Sequence, residues 1–212
     1  MFRCTTNRYD ALYARWLENP GSLLDLAGYI PGEMLLDLCG GTGAVSREAL
    51  RWGADPSTIT LMDLNPRCPD PRVPTIRLDV QEYAALMGPA PVDPLFDLIV
   101  IRQSAAYLQY QDSLVRWLAS VLKPGGRLVF NTFRKPKWSF RTYTYHGKRF
   151  FELSWYFGKT VWHLQASPTI GLDITKFHWH SESSLRKHLG SRFHLVVHNQ
   201  GRSQRWFCRR LP

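Results

Sequence analysis

The stretch Leu35-Leu36-Asp37-Leu38-Cys39-Gly40-Gly41-Thr42-Gly43 decides the fold. An apolar run ends in glycines, and Gly43–Trp52 then carries Val45, Ala49 and Trp52 at helical spacing. A strand, a glycine turn and a helix in that order form a ligand-binding opening of an α/β unit. The glycines permit a tight turn and let a ligand approach the backbone. The dinucleotide fingerprint needs a third glycine or alanine, and Gly41-x-Gly43-x-x-Ser46 lacks it. Asp37 places a carboxylate at the strand end, where it would repel a pyrophosphate and attract a cation.

Working outward, Ile59–Met62, Val73–Leu78 and the β-branched run Phe96–Ile101 are predicted strands, the last buried on both faces. Gln81–Met87 is a predicted short helix. Leu114, Val115, Leu118 and Leu122 give a helix stripe that stops at Lys123-Pro124-Gly125-Gly126, and Arg127–Phe133 is a fifth strand. This order predicts a doubly wound parallel sheet with its ligand at the carboxyl ends of the strands. Tyr9–Leu17 is a predicted leading helix, with Leu12 and Trp16 on one face and Tyr9 and Tyr13 on another.

The pattern changes near Arg134. Phe140–His146, Arg149–Phe157, Thr160–Gln165 and Ile174–Trp179 are strand-like and separated by turn residues, predicting an antiparallel meander. Ser181 is a predicted N-cap for a helix to Leu189, stopped by Gly190, and Phe193–His198 and Arg205–Arg209 are closing strands. The expectation is one domain over 1–212. It comprises a ligand-binding part over 9–133, an antiparallel insertion over 137–180 that covers the site, and a closing helix and strands over 181–212.

The ordered set of motifs resembles the class I S-adenosylmethionine-dependent methyltransferases, over roughly residues 9–133. Asp37, Gly41 and Gly43 match the first motif, with Cys39 in place of its first glycine and Gly40 preceding. Asp63, in ITLMDLNP, matches the acidic residue that takes the ribose hydroxyls, with Leu64 beside it. Asp79, in IRLDVQEY, matches the acidic residue at the adenine amino group, with Val80 against the ring. FDLIVIRQSAAYL matches the fourth strand and the loop beside the methyl donor, which brings in Arg102 and Gln103, and VLKPGGRLVFNTF matches the helix-turn-strand that closes the half-sheet. The resemblance implies a Rossmann-like, seven-stranded, mostly parallel sheet. It also implies S-adenosylmethionine as cofactor and S-adenosylhomocysteine as product. Tyr9 and Tyr13 would cap the amino-acid end of the cofactor, which Asp37 would also face. Asp79 has a second reading as a helix N-cap, compatible with the first, and Asp97, at the start of its strand, is read as structural.

The acceptor is less legible, because an in-line methyl transfer mainly needs alignment and exclusion of water. The place after the fourth strand reads Arg102-Gln103-Ser104-Ala105-Ala106-Tyr107, not the (N/D/S)PP(Y/F) of enzymes acting on exocyclic base amines. No cysteine stands there for pyrimidine C5 chemistry, and the acidic hairpin of arginine methyltransferases is absent. Residues 134–180 hold 12 of the 28 aromatics and four of the seven histidines, resembling the aromatic roof of small-molecule methyltransferases. Tyr107, Arg141, Tyr145, Arg149 and Trp155 are candidate acceptor contacts, and an arginine there suits a carboxylate or phosphate. Tyr143, His163 and His178 are candidate catalytic groups, with His180 a further candidate base. Much of this aromatic content also serves the insertion's own packing. His178 and His180 without a nearby carboxylate make no metal site, and none is expected.

Charge keeps a second acceptor class open. Residues 1–133 hold 12 Lys and Arg against 14 Asp and Glu, whereas 134–212 hold 15 against 3. That asymmetry fits an RNA or other nucleic-acid acceptor, an anionic metabolite, or simply a soluble basic surface. A cofactor-binding protein without catalysis is a third class, and the intact acidic positions argue against it. The cysteines, Cys4, Cys39, Cys68 and Cys208, form no CxxC pair, and no apolar run is long enough to span a bilayer. With no signal-like apolar core near residue 1, the expectation is a cytoplasmic monomer or homodimer that avoids membranes.

Overall fold

The computed structural model describes residues 19–68, 70–88, 95–105, 108–109, 112–133, 139–145, 148–157, 160–167, 171–178, 180–200 and 203–212. The expected helix over 9–17, with Tyr9 and Tyr13, lies outside them, as does Tyr107.

The strands are β1 (Leu35–Leu38), β2 (Ile59–Asp63), β3 (Thr75–Arg77), β4 (Phe96–Ile101), β5 (Leu122–Phe133), β6 (Ser139–Tyr145), β7 (Lys148–Phe157), β8 (Thr160–Ser167), β9 (Gly171–His178), β10 (Phe193–Gln200) and β11 (Ser203–Arg210). The helices are α1 (Pro20–Ala27), α2 (Ala44–Arg51), α3 (Val80–Met87), α4 (Asp112–Val121) and α5 (Glu182–Leu189). Seven strands form one sheet in the order β10-β11-β5-β4-β1-β2-β3. β11 runs antiparallel to both β5 and β10, and the β1–β5 pairings are parallel. The remaining strands, β6-β7-β8-β9, form a separate antiparallel sheet, so the expected meander is present with four strands.

Local chemistry explains the elements. Four residues of β1 and five of the six in β4 are buried, which fits central strands covered by helices on both faces. One face packs against α3, α4 and α5 through residues such as Leu36, Ile99, Leu118, Leu128 and Leu185. The other packs against α1 and α2 through Leu23, Leu24, Val45, Ala49, Leu98 and Val129. At the β5–β11 seam, Phe130 and Trp206 stack with centroids 5.7 Å apart, and Trp206 Nε1 donates to Thr132 Oγ1 at 3.1 Å. The buried indole N–H thus has its partner.

Asp97 is structural as expected: it accepts from Met34 N at 2.9 Å and pairs with Lys123 Nζ at 2.8 Å. Ser181 caps α5 by accepting from Ser184 N. Helix α1 is not anticipated in the sequence reading, although Asn19 accepting from Gly21 N, Pro20 in the first turn and Gly28 at φ 61° are all legible end signals. Arg127, on β5, donates Nη1 to the carbonyls of Ala27 and Gly28 and pairs Nη2 with Glu33. A cation thus closes the C-terminal end of α1. The β5 boundary also differs. Leu122 already pairs with Phe96, and the register then shifts so that Leu98 meets Arg127. Lys123–Gly126 therefore bulges inside the strand rather than preceding it, helped by Gly125 at φ 73°. No described helix is long and apolar enough to cross a membrane.

Candidate active site

The strand order reverses beside β1, between β4 and β2, and Asp37, Asp63, Asp79, Arg102 and Gln103 stand at or just beyond the carboxyl ends of β1, β2, β3 and β4. The loop after β1 turns through three left-handed residues, Cys39 (φ 55°), Gly41 (φ 54°) and Gly43 (φ 71°). Gly40 is required for a different reason. A Cβ there would lie 2.4 Å from both Asp37 Oδ1 and Leu61 Cδ1, so the loop is drawn onto the carboxylate with no room for a side chain.

Asp37 is fully buried at the end of β1. Its Oδ2 accepts from Ser46 N at 3.0 Å and Ser46 Oγ at 2.7 Å. The cap residue of α2 is Gly43, which has no side chain to offer. Asp37 therefore supplies the missing acceptor from a neighbouring strand. Its Oδ1 is buried with no hydrogen-bond partner. Burial pushes the carboxyl up to about 6, against the pull of Ser46 and Arg102 and with the push of Asp63.

Asp63 ends β2. Its Oδ2 accepts from Gly41 N at 3.0 Å and its Oδ1 from Asn65 N at 2.8 Å, which ties the glycine loop to the neighbouring strand. Asp79 caps α3 by accepting from Gln81 N and Glu82 N, so its N-cap reading holds. All three carboxylates act electrostatically on Cys39. Burial, then Asp63, Asp79 and Asp37 in that order, push its thiol far above the ordinary range. Cys39 therefore stays a neutral thiol at pH 7 and fills the place of a glycine without offering a nucleophile.

This arrangement fits S-adenosylmethionine. The cofactor carries a sulfonium and an ammonium, a ribose diol and an adenine amine. The chain offers an orphaned buried carboxylate oxygen, two further carboxylates, Asp63 at the end of β2 and Asp79 after β3, and a loop in which Gly41 and Gly43 turn left-handed. The methyltransferase domain family matches residues 8–192. The chain belongs to it.

This class I S-adenosylmethionine-dependent methyltransferase has relatives at two levels of likeness. It is 33% identical over 121 residues to the ubiquinone/menaquinone biosynthesis C-methyltransferase of Teredinibacter turnerae, a match covering 54% of this chain and 48% of that protein. The chain thus matches about half the length of such relatives. In structure it resembles the sugar N-methyltransferase of Streptoalloteichus sp., with a TM-score of 0.67 at 17% identity over 100% of this chain and 96% of that one. It also resembles the 1,6-didemethyltoxoflavin N1-methyltransferase of Burkholderia thailandensis, with a TM-score of 0.56 at 16% identity over 100% and 93%. Those likenesses describe the fold.

The remaining predicted residues of the methyltransferase fall unevenly. Val80 is buried beside Asp79, whereas Leu64 is 54% exposed. Arg102 is half-buried and acts electrostatically on Asp37. Gln103 is 4% exposed and left-handed at φ 63°. His180 places Nε2 2.8 Å from the Leu108 carbonyl, so that nitrogen carries the proton and donates. In the insertion, register separates the candidates. Tyr143 pairs with Phe150, Arg141 with Glu152 and Tyr145 with Lys148, while His163 pairs with Ser154. Because strand positions alternate between faces, Arg141, Tyr143, Tyr145 and His163 share one face of the small sheet. Arg149, Trp155 and His178 occupy the opposite face. The seven candidates are therefore not one constellation. The face of Trp155 also carries Phe140, Phe151, Leu153 and Leu164, and Phe140 meets Phe151 edge to face at 4.9 Å. Among the described residues, no group of three His, Cys, Asp or Glu is placed to hold a metal.

The sequence reading missed Ser46, Ser104 and Asn131. Ser46 had a signal: a helix capped by glycine needs an acceptor from elsewhere, and a serine three residues into it can share one. Ser104 and Asn131 had none, because their partners, Cys39 and Gln103, are in loops distant in sequence.

Proposed function

We propose that the protein methylates an oxygen or nitrogen of a small, planar or anionic metabolite, binding its cofactor at the ends of β1, β2 and β4. The observation that carries this reading is a buried carboxylate with an orphaned oxygen, Asp37 Oδ1, beside a glycine loop that Asp63 holds through Gly41 N at 3.0 Å, at the strand-order reversal. The cofactor supplies the activated methyl group. Asp63 accepts from the ribose hydroxyls, Asp79 from the adenine amine with Val80 against the ring, and Asp37 draws the cationic amino-acid end. Gly40, Gly41 and Gly43 let the ligand reach the backbone, and Arg102 and Gln103 line the donor end. A small acceptor suits the similarity to the sugar and toxoflavin enzymes over the whole chain, including the insertion.

Calorimetric titration tests the cofactor. The expected result is micromolar-range binding of S-adenosylmethionine and S-adenosylhomocysteine with none of NAD. Release of S-adenosylhomocysteine then screens flat anionic heterocycles and phenols. A steep loss of activity with added salt on an RNA substrate, and none on metabolites, would instead favour the nucleic-acid acceptor.

The insertion is proposed to select the acceptor with the face that carries Arg141, Tyr143, Tyr145 and His163. The opposite face carries Phe140, Phe151, Leu153 and Leu164, a more apolar composition, with Phe140 against Phe151 although Phe140 is 64% exposed. Tyr143→Ala or His163→Ala should therefore raise KM or lower kcat at least tenfold on the identified acceptor, with cofactor affinity unchanged. Trp155→Ala should lower the thermal midpoint instead. If Tyr143→Ala and His163→Ala both leave rate and substrate range untouched, the assignment of that face is wrong.

A further inference from the structure

Two residues other than glycine among those described adopt left-handed backbone, Cys39 and Gln103. They stand at the carboxyl ends of β1 and β4, the two strands that flank the order reversal. A side chain in that conformation is disfavoured, and it persists only where surrounding contacts hold it. Two such contacts are present. Asn131, on β5 and 2% exposed, accepts from Gln103 N through Oδ1 at 2.8 Å. Ser104 Oγ lies 3.1 Å from the Cys39 carbonyl and 3.3 Å from the Arg102 carbonyl, and its one proton on the nearer acceptor ties the β4 loop across to the β1 loop. Thr132 is also buried, but its hydroxyl serves Trp206, and so it belongs to the core.

We propose that Asn131 is a positioning residue for the cofactor site. With Ser104 it forms a two-point brace that holds the Arg102–Ser104 loop in its left-handed shape against the glycine loop. The inference rests on the reading that this loop forms the donor end of the site. Asn131 itself is placed one strand away and acts through the Gln103 backbone. Its amide suits this role, because the Oδ1 acceptor is held by burial in β5, the strand that continues into the stacked β5–β11 seam. Gln103 N then has its partner without that partner being part of the loop it restrains.

The test uses the full chain, titrated with S-adenosylhomocysteine and followed in parallel by the thermal midpoint of the ligand-free protein. Asn131→Ala should weaken affinity about tenfold or more, because the strained loop loses its hold. Asn131→Asp keeps an acceptor at the same atom but adds a buried carboxyl, so it should bind more tightly than Asn131→Ala and less tightly than the parent. Ser104→Ala removes only a half-buried hydroxyl, folds normally, and should weaken affinity several-fold. The double variant Asn131→Ala/Ser104→Ala should lose less than the two single losses combined, since both contacts restrain one loop. A lower midpoint with unchanged affinity in Asn131→Ala would make Asn131 a packing residue and overturn the inference. So would an Asn131→Asp as weak as Asn131→Ala, or a Ser104→Ala that binds like the parent. If the parent itself binds no S-adenosylhomocysteine, the cofactor reading fails and this inference falls with it; a parent that binds beside unaffected variants overturns the brace alone.

Discussion

Replacing Asp63 with alanine should weaken binding of S-adenosylmethionine about a hundredfold while the chain still folds. Two losses add. In the proposed complex the carboxylate accepts from the ribose hydroxyls, and each charge-assisted hydrogen bond contributes about 1.5–3 kcal/mol when its partner would otherwise be unpaired. In the protein itself, Asp63 Oδ2 holds Gly41 N at 3.0 Å and Oδ1 holds Asn65 N at 2.8 Å. Alanine therefore also frees the glycine loop from β2. Its half-buried position limits the cost to folding, because the released amides can reach water. Isothermal calorimetry on the folded variant decides the matter. Affinity equal to the parent's would remove Asp63 from the site and leave it as a loop tie. Asp63→Asn separates the two roles: it retains an acceptor for Gly41 N, loses the charge, and should fall between parent and alanine.

The α/β core was legible because local patterns and global topology agree there. Phe96–Ile101 is apolar at every position but Asp97, and only a central strand is buried in that way. The closing strands were legible from alternation, and Trp206 and Cys208 do point into the core while Arg209 is exposed. Less legible was what depends on distant residues. Leu122 looked like the end of a helix stripe, yet its pairing with Phe96 makes it the start of β5. The face on which each insertion residue lies depends on ladder register, which alternation within one strand does not give. Tyr143 and Trp155 are equally aromatic and fall on opposite faces. At the site, the acidic positions were readable from motif order. Their structural duties were not, because Asp37 meets Ser46 across a turn and Asp63 meets Gly41 across two strands.

Asp37 carries the second large effect, and its sign is opposite for stability and for binding. Burial raises its folded-state pKa from 3.8 to about 6. Between those values the folded protein keeps a proton that the unfolded chain has lost. The group's contribution to stability is therefore fully favourable below pH 4 and declines as pH rises through 6. Above that it remains at its least favourable, a difference of about 3 kcal/mol at most. Asp37→Asn keeps an acceptor for Ser46 and removes the buried charge. At pH 8 the ligand-free variant should melt several degrees above the parent, and the gap should close as pH falls toward 4. Cofactor binding should respond the other way. Only the ionised carboxylate attracts a sulfonium and an ammonium, and Oδ1 lies buried with no other partner. The parent's affinity should strengthen as pH rises from 5 to 7. The variant's should be at least tenfold weaker at pH 8 and flat across that range. A variant that binds as tightly as the parent with the same pH profile would show that Asp37 serves only as the remote cap of α2. A variant that is both weaker in binding and more stable would show a carboxylate kept at a cost to the fold for the sake of a cationic ligand.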